Sequence, residues 1–571
     1  MILDGFKYIK KHKYLLFLIV PAFIFHMLMI MPNGSYRCSD DGCGMYFYGI
    51  HVHDSIWHLA LAAVSFQEIP FVSPIYSGAL LSGYNILIDI VLFLFMKLGI
   101  PHVFVFFKIF PLIWFILFTL FIIKIGDKLK KSSLFVFLLL YFSYFGGSFT
   151  YMVTLYHQKT IVGATGLSAM QSGLMMTNLQ LAFSFVLLIL QLIIVFKKKW
   201  NTKIIIFLSI ITAFQIGLKF YGGVISVFIF SLFLAEYLIR YKDFRKVFIF
   251  GLIFSVMQIF SLIVFYNPLA TLDSGSVFIF SPFAIVHYVI ESPDFFHLPD
   301  LVLQRYHLYS VNPFSPRLLA IEMFSVLLFI FFNFGVRFFG LLYYFSISLI
   351  RRKFTRFEIY LYLIILFSTI ITILFIQRGI WWNTIQFFYY GIFLANFFGA
   401  FLVYDLFKSK KLPSIFIGII LLIAAVPNNY EIVKGLTELK GVHISDNEIS
   451  ALNHLKKKPD GVVFSAFHII DQKSKSSFSD TSYVSAFTGK QEFINNATQL
   501  ELMSIDYKNR YEIVKSLDCS FLNNIDYIYY DKNYSNMFFV NCVKELRSFK
   551  ETFSNERIRI FERFTPLYKK E

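Results

Sequence analysis

Uncharged apolar runs long enough to cross a lipid bilayer recur along this chain, and no other feature limits its fold as strongly. The first is Tyr14 to Met31, and later ones include Leu134 to Val153 and Val247 to Tyr266. A hydrocarbon core about 30 Å thick is spanned by about 20 apolar residues in a helix. Within it every backbone N–H and C=O must find an internal partner, which leaves helices and closed barrels. The alternation of apolar and polar residues that marks barrel strands is absent. Of 571 residues 57% are hydrophobic and 20% aromatic, more than the interior of a soluble fold can hold. The chain therefore reads as a polytopic α-helical membrane protein with about 11–13 transmembrane helices.

The net charge is +17, but its distribution argues against a nucleic-acid partner, which would require a contiguous basic patch. The basic residues cluster in short connectors: Lys10-Lys11-His12-Lys13, Lys197-Lys198-Lys199, Arg240 to Lys246, Arg351-Arg352-Lys353 and Lys408 to Lys411. Short basic loops face the cytoplasm under the positive-inside rule. Anchored on them, the N-terminus is cytoplasmic in a multi-pass protein, with the plasma membrane as the expected location. The first apolar run is too long for a signal peptide, and Met31-Pro-Asn-Gly offers no small-residue cleavage site, so it reads as a retained helix. External loops are expected at about 32–83 and 267–316. One stretch resists the alternation. If Leu80 to Leu98 and Val103 to Ile125 both cross, Lys128, Lys130 and Lys131 end up outside; either one run is interfacial or re-entrant, or the charge bias fails there.

From about Lys440 the composition changes. Asp446 to Lys458 reads as an amphipathic helix, and Gly461 to Ser465 and Asp526 to Tyr530 read as strands. The expected organisation is a transmembrane domain over residues 1–435 and a small extracytoplasmic α/β domain over 436–571, with enough residues for a core of its own. Four cysteines form two local pairs, Cys38 with Cys43 and Cys519 with Cys542. Outside the cytosol each pair is either a disulfide or two free thiols.

The densest chemistry lies in His51-Val-His53-Asp54-Ser-Ile-Trp-His58, just beyond the first apolar run. Asp54 flanked by His51 and His53 suits a general base or a divalent metal such as Mg or Mn. Equally, Asp54 could simply cap a helix over Ser55 to Phe66. His58 shares a face with Asp54 if that helix forms. In the second external loop Arg305 is the strongest phosphate-binding candidate, since arginine pairs well with phosphate oxygens. Lys219, Arg378 and Lys159 compete with it at external helix ends, where lysine and arginine also snorkel. Glu291 and Asp294 are candidates for a second acid. Trp382 and Asn383, with His58, could form a platform for sugar, although Trp381 and Trp382 also suit an aromatic belt. Glu322, Arg337 and Asp89 are charged groups on apolar stretches, each expected to find a partner on another helix.

Taken together, this layout resembles the GT-C superfamily of membrane glycosyltransferases, which includes the oligosaccharyltransferase, protein O-mannosyltransferase and aminoarabinose transferase families. The local matches are Asp54 to His58, Ile69-Pro-Phe-Val-Ser-Pro74, Gly83-Tyr84, Phe145-Gly-Gly-Ser-Phe149, Trp382-Asn383, Val484 to Gly489 and Ile525 to Lys532. The resemblance implies a polyprenyl-phosphate- or pyrophosphate-linked sugar as donor and an extracytoplasmic acceptor, whether glycan, lipid or protein. It further implies that Asp54 is the first-loop acid, supported by His53 and His51, and that a cation steadies the leaving phosphate. His53 stands where some members carry a second carboxylate, and Asp40 and Asp41 fit no spacing of that motif, so a metal is optional. The alternative is a transporter or lipid flippase, which would show repeated halves or broken helices with charges at mid-membrane. No internal repeat is visible.

Overall fold

The computed structural model describes residues 2–39, 42–161, 169–196, 201–267, 277–378, 380–430, 434, 441–473 and 478–564. The Lys197 to Lys199 cluster and the Asp40 and Asp41 pair lie outside the described residues. Among those described, eight helices are long and apolar enough to cross a membrane. They are Lys13–Ile30, His102–Lys130, Phe220–Tyr241, Phe244–Tyr266, Pro316–Phe334, Arg356–Leu374, Trp381–Lys408 and Leu412–Tyr430. A ninth arises if the bent pair Ser133–Phe145 and Thr150–Gln158 counts as one span, and Leu179–Val195, Thr202–Leu218 and Val336–Ile350 are shorter apolar helices. The protein is a polytopic helical membrane protein with a small C-terminal α/β part.

The conflict around residues 80–125 resolves by length. The Leu80 to Leu98 run forms only the 11-residue helix Leu87–Lys97, about 16 Å long at 1.5 Å per residue and too short to span. The next run belongs to the 29-residue helix His102–Lys130. A single crossing between the first loop and Lys128 removes the conflict with the charge rule.

Contacts divide the chain into two units, one of residues 1–29, 112–261 and 276–438, the other of 30–111, 262–275 and 439–571. In the first unit the helix Ile385–Lys408 is almost wholly buried. Its neighbour Val336–Ile350 approaches closely because Gly340 lacks a side chain: a Cβ there would lie 2.4 Å from the Phe398 carbonyl oxygen. Small residues at such contacts let helix backbones meet. The apolar run Leu318 to Ile350 breaks at Gly335, in the sequence Asn333-Phe-Gly335, with Gly335 at φ +55°.

Arg337, just after that break, is fully buried. Its Nε donates to the Phe334 carbonyl at 2.8 Å, and its Nη2 donates to the carbonyls of Gly147 at 2.8 Å and Asn333 at 3.1 Å and to Gln171. Nη1 reaches the Asn396 amide oxygen at 3.3 Å and the Gly146 carbonyl at 3.4 Å. One guanidinium thus serves the carbonyls exposed where the Ser133–Phe145 helix breaks before Thr150–Gln158. The partner expected on another helix is therefore a set of dipoles.

In the second unit, residues of the first loop and of the tail share one apolar core. Trp57, Leu61, Phe66, Ile75, Leu81 and Ile86 pack in the same cluster as Phe464, Phe467, Phe493, Phe521, Ile528 and Phe538. The tail does not build its core alone, and the chain division near residue 438 leaves 30–111 grouped with it. A four-stranded sheet runs Val463–Phe464, Tyr527–Asp531, Ile558–Arg563, Phe549–Ser554, with only the first pair parallel. The helix Asp446–Lys456 begins with a capping box, Ser445 and Glu448, which lends it local stability. Ser35–Ser39, Gly42–Phe47 and Val442–Ser445 form a three-stranded antiparallel sheet. Both cysteine pairs are disulfides, Cys38–Cys43 and Cys519–Cys542.

Two stability outcomes follow. Arg337→Met should lower the thermal midpoint of the purified protein, at about 1–3 kcal/mol for each carbonyl left without a donor. Arg337→Lys should recover little of it, because an ammonium cannot reproduce the fork. Replacing Cys519 and Cys542 by serine should cost about 3 kcal/mol through the lost cross-link, read as a denaturation midpoint that no longer responds to reductant at that bridge.

Candidate functional site

The first-loop cluster is positioned by the disulfide hairpin and the turn that follows it. Cys38 and Cys43 sit directly opposite each other in the Ser35–Ser39 and Gly42–Phe47 pair. Tyr48 then donates its backbone N–H to the Asn33 side chain at 2.7 Å, and Gly49–Val52 makes one 3-10 turn into the helix Asp54–Ala60. The capping position falls to His53, whose side chain makes no capping hydrogen bond. Asp54 is instead the first helical residue, so the alternative that it serves as the cap does not hold. It is half-buried, at the helix end that favours a negative charge.

The three histidines part company. His51 is buried with its Nδ1 2.7 Å from Ser55 Oγ and its ring edge-on to Phe107, whereas His53 is exposed. Successive turns of the chain send them to different sides. Among the described residues no three His, Cys, Asp or Glu side chains come together in a way that could hold a metal ion. The chemistry below is written for the side chains alone.

His58 is not an accessible sugar platform. It is 1% exposed, and its Nδ1 lies 3.0 Å from Oδ1 of Asp89, itself fully buried. Phe106 stacks on its ring at 6.1 Å between centroids and Tyr84 lies against it at 5.8 Å. Burial holds the Asp89 carboxyl above the usual carboxylate range; His58 pulls it back, and the charge of Asp54 adds to the rise. Burial likewise pushes the Tyr84 phenol up, with Asp54 and then Asp89 adding to it. Asp54, Tyr84, His58 and Asp89 thus form one electrostatic group. Sequence reasoning singled out Asp89 only as a charge on an apolar stretch; the Gly83-Tyr84 match was the one signal for its neighbour.

In the first unit the cations divide. Arg305 is buried, and its guanidinium donates from Nε to Glu322 at 2.9 Å, from Nη1 to Glu291 at 2.7 Å and from Nη2 to His287 Nδ1 at 2.5 Å. His287 Nε2 in turn faces Glu322 at 2.8 Å. With every nitrogen of the fork engaged by a carboxylate or an imidazole, Arg305 has no edge left for phosphate, which corrects its assignment. Glu291 is spent on the same cluster, and Asp294 is exposed. Lys159 is exposed and donates to the Tyr156 carbonyl at 3.0 Å beside that ring, a snorkelling posture.

Lys219 and Arg378 share a neighbourhood instead. Lys219 is 8% exposed and precedes Phe220, which stacks on Phe278. Phe278 pairs with Gln377 in the ribbon of Phe278–Phe280 and Phe375–Gln377, and Gln377 accepts from Tyr221 at 2.5 Å and from Asn383 at 3.0 Å. Arg378 is exposed at the end of that ribbon, next to the exposed Trp382. Gln377, absent from the sequence reading, is the hub. Replacing Arg305 by Met should sharply lower the thermal midpoint by stranding the buried Glu322. A cation that only contacts substrate would leave that midpoint in place.

No protein-family model and no curated protein matches the sequence. The fold is similar to that in a crystal structure of the Archaeoglobus fulgidus oligosaccharyltransferase, tethered through a disulfide bond to an acceptor peptide containing the NVT sequon. The two superpose with a TM-score of 0.51 at 11% identity, over 92% of this chain and 70% of that one. The chain therefore has a fold like that of this oligosaccharyltransferase.

Proposed function

We propose that this protein is an integral-membrane glycosyltransferase that moves a sugar from a polyprenyl-phosphate or -pyrophosphate donor to an extracytoplasmic acceptor. The observation that carries this reading is Asp54, a half-buried carboxylate at the head of a helix in the first loop, within a fold like that of an oligosaccharyltransferase. In this scheme Asp54 takes the proton of the acceptor hydroxyl or amide as that atom bonds to the anomeric carbon of the sugar. The bond from that carbon to the phosphate oxygen breaks, and the electron pair leaves with the lipid phosphate. Positioning and general-base catalysis together account for the step. A basic side chain would offset the growing charge of the phosphate, and Lys219 and Arg378 are the candidates put to the test.

A second reading, a transporter or lipid flippase, is favoured by one feature, the 48° break between Ser133–Phe145 and Thr150–Gln158. The charge at that break, Arg337, is however fully engaged by carbonyl and amide oxygens.

The test uses a radiolabelled polyprenyl-phosphate sugar and membranes supplying acceptor. Asp54→Asn should reduce transfer at least about 100-fold, and full activity in that variant would overturn the assignment. Lys219→Gln and Arg378→Gln should each lower kcat/KM by about tenfold or more, while labelled lipid that crosses the bilayer without transfer would favour the second reading.

A further inference from the structure

We propose that His58 and Asp89 are a positioning pair for Asp54, holding one proton between them so that the buried couple stays neutral beside the reactive carboxylate. The geometry carries the argument. Asp54 and His58 stand four residues apart on one helix and so share a face. Behind His58 lies Asp89, reached by the Leu87–Lys97 helix, with Nδ1 and Oδ1 3.0 Å apart and both side chains out of solvent. The second Asp89 oxygen is buried without a hydrogen-bond partner.

Two carboxylates with a neutral imidazole would place two negative charges in this interior, a costly arrangement in a low-dielectric setting. One proton shared across the His58 and Asp89 contact reduces that to the single charge of Asp54, whichever of the two atoms carries it. The titratable groups around His58 are Asp54 on its own helix, Asp89 on Leu87–Lys97 and Tyr84 on the intervening loop, with Tyr266 beside Tyr84. Phe106 covers the ring with an apolar face. Asp54 is half-buried at the head of the same helix, so the charge of the pair acts on it from within.

This inference rests on Asp54 acting as the base, and the test separates the two. His58→Asn places an amide N–H where His58 carries Nδ1, so the contact with Asp89 persists while the shared proton is lost. The uncompensated Asp89 charge then makes Asp54 hold its proton more tightly, and the acidic limb of the pH profile of kcat/KM should move up by about one pH unit. Adding Asp89→Asn should return the limb to its original position. A limb that stays put in His58→Asn, or that the second substitution does not restore, would overturn the pair's role; a purely structural contact would change yield or melting but leave the limb in place. Independently of activity, the imidazole resonances of His58 in the purified full-length protein should titrate at lower pH in Asp54→Asn than in the parent. If transfer survives in Asp54→Asn but His58 still shifts, the catalytic reading fails and the coupling stands. An unchanged His58 titration would remove the coupling itself.

Discussion

A full positive charge buried without a carboxylate sets the terms for the helical unit. Arg337 sits where one helix has just broken at Gly335, and its donors reach carbonyls freed by a second break at Gly146 and Gly147. In lipid those carbonyls have no water to turn to. A planar fork of N–H groups answers several acceptors at once from one side chain, which neither lysine nor an amide can do. Gly335 belongs to the same device: at φ +55° and with an added Cβ only 2.9 Å from the Gly147 carbonyl oxygen, its lack of a side chain admits the close approach that Arg337 then holds.

In the other unit the organising constraint is a shared core. Trp57 and Leu61, on the helix that Asp54 begins, pack with Phe464, Phe467 and Phe521 of the tail. A carboxylate on a loop is held by whatever its helix leans on, and here that is a close-packed aromatic core rather than solvent. The tail segments thus bear on the site through packing. The same logic explains His58, whose position on the inner face of the helix commits it to Asp89 and removes it from any surface.

The sequence was legible wherever a local rule decides the outcome. The helix Asp446–Lys456 carries its own capping box, the break at Gly335 was marked by Asn-Phe-Gly, and each cysteine had a near neighbour to bond. It was misleading where partners decide. For Leu80 to Leu98 hydropathy left two readings open, because it counts apolar side chains and does not give the length of the helix, which is only Leu87–Lys97. Arg305 looked like a phosphate site because an arginine near apolar helices often is one, yet His287 and Glu291 of one helix and Glu322 of another occupy it. The Phe549–Ser554 and Ile558–Arg563 hairpin passed unnoticed, since its alternation of apolar and polar residues is short and interrupted by a register shift.

By itself the sequence determined the class of the molecule: a chain this apolar must be helical and membrane-spanning, because lipid offers backbone groups no other partners. It also pointed to the first loop, where Asp54 lies among His51, His53 and His58. Tertiary structure alone decided which charges are available. Arg305 is taken up by Glu291, Glu322 and His287, and His58 by Asp89. The reason is that a buried charge must be matched within a few ångströms, and the matching residues here sit on other helices, where only the folded chain brings them close.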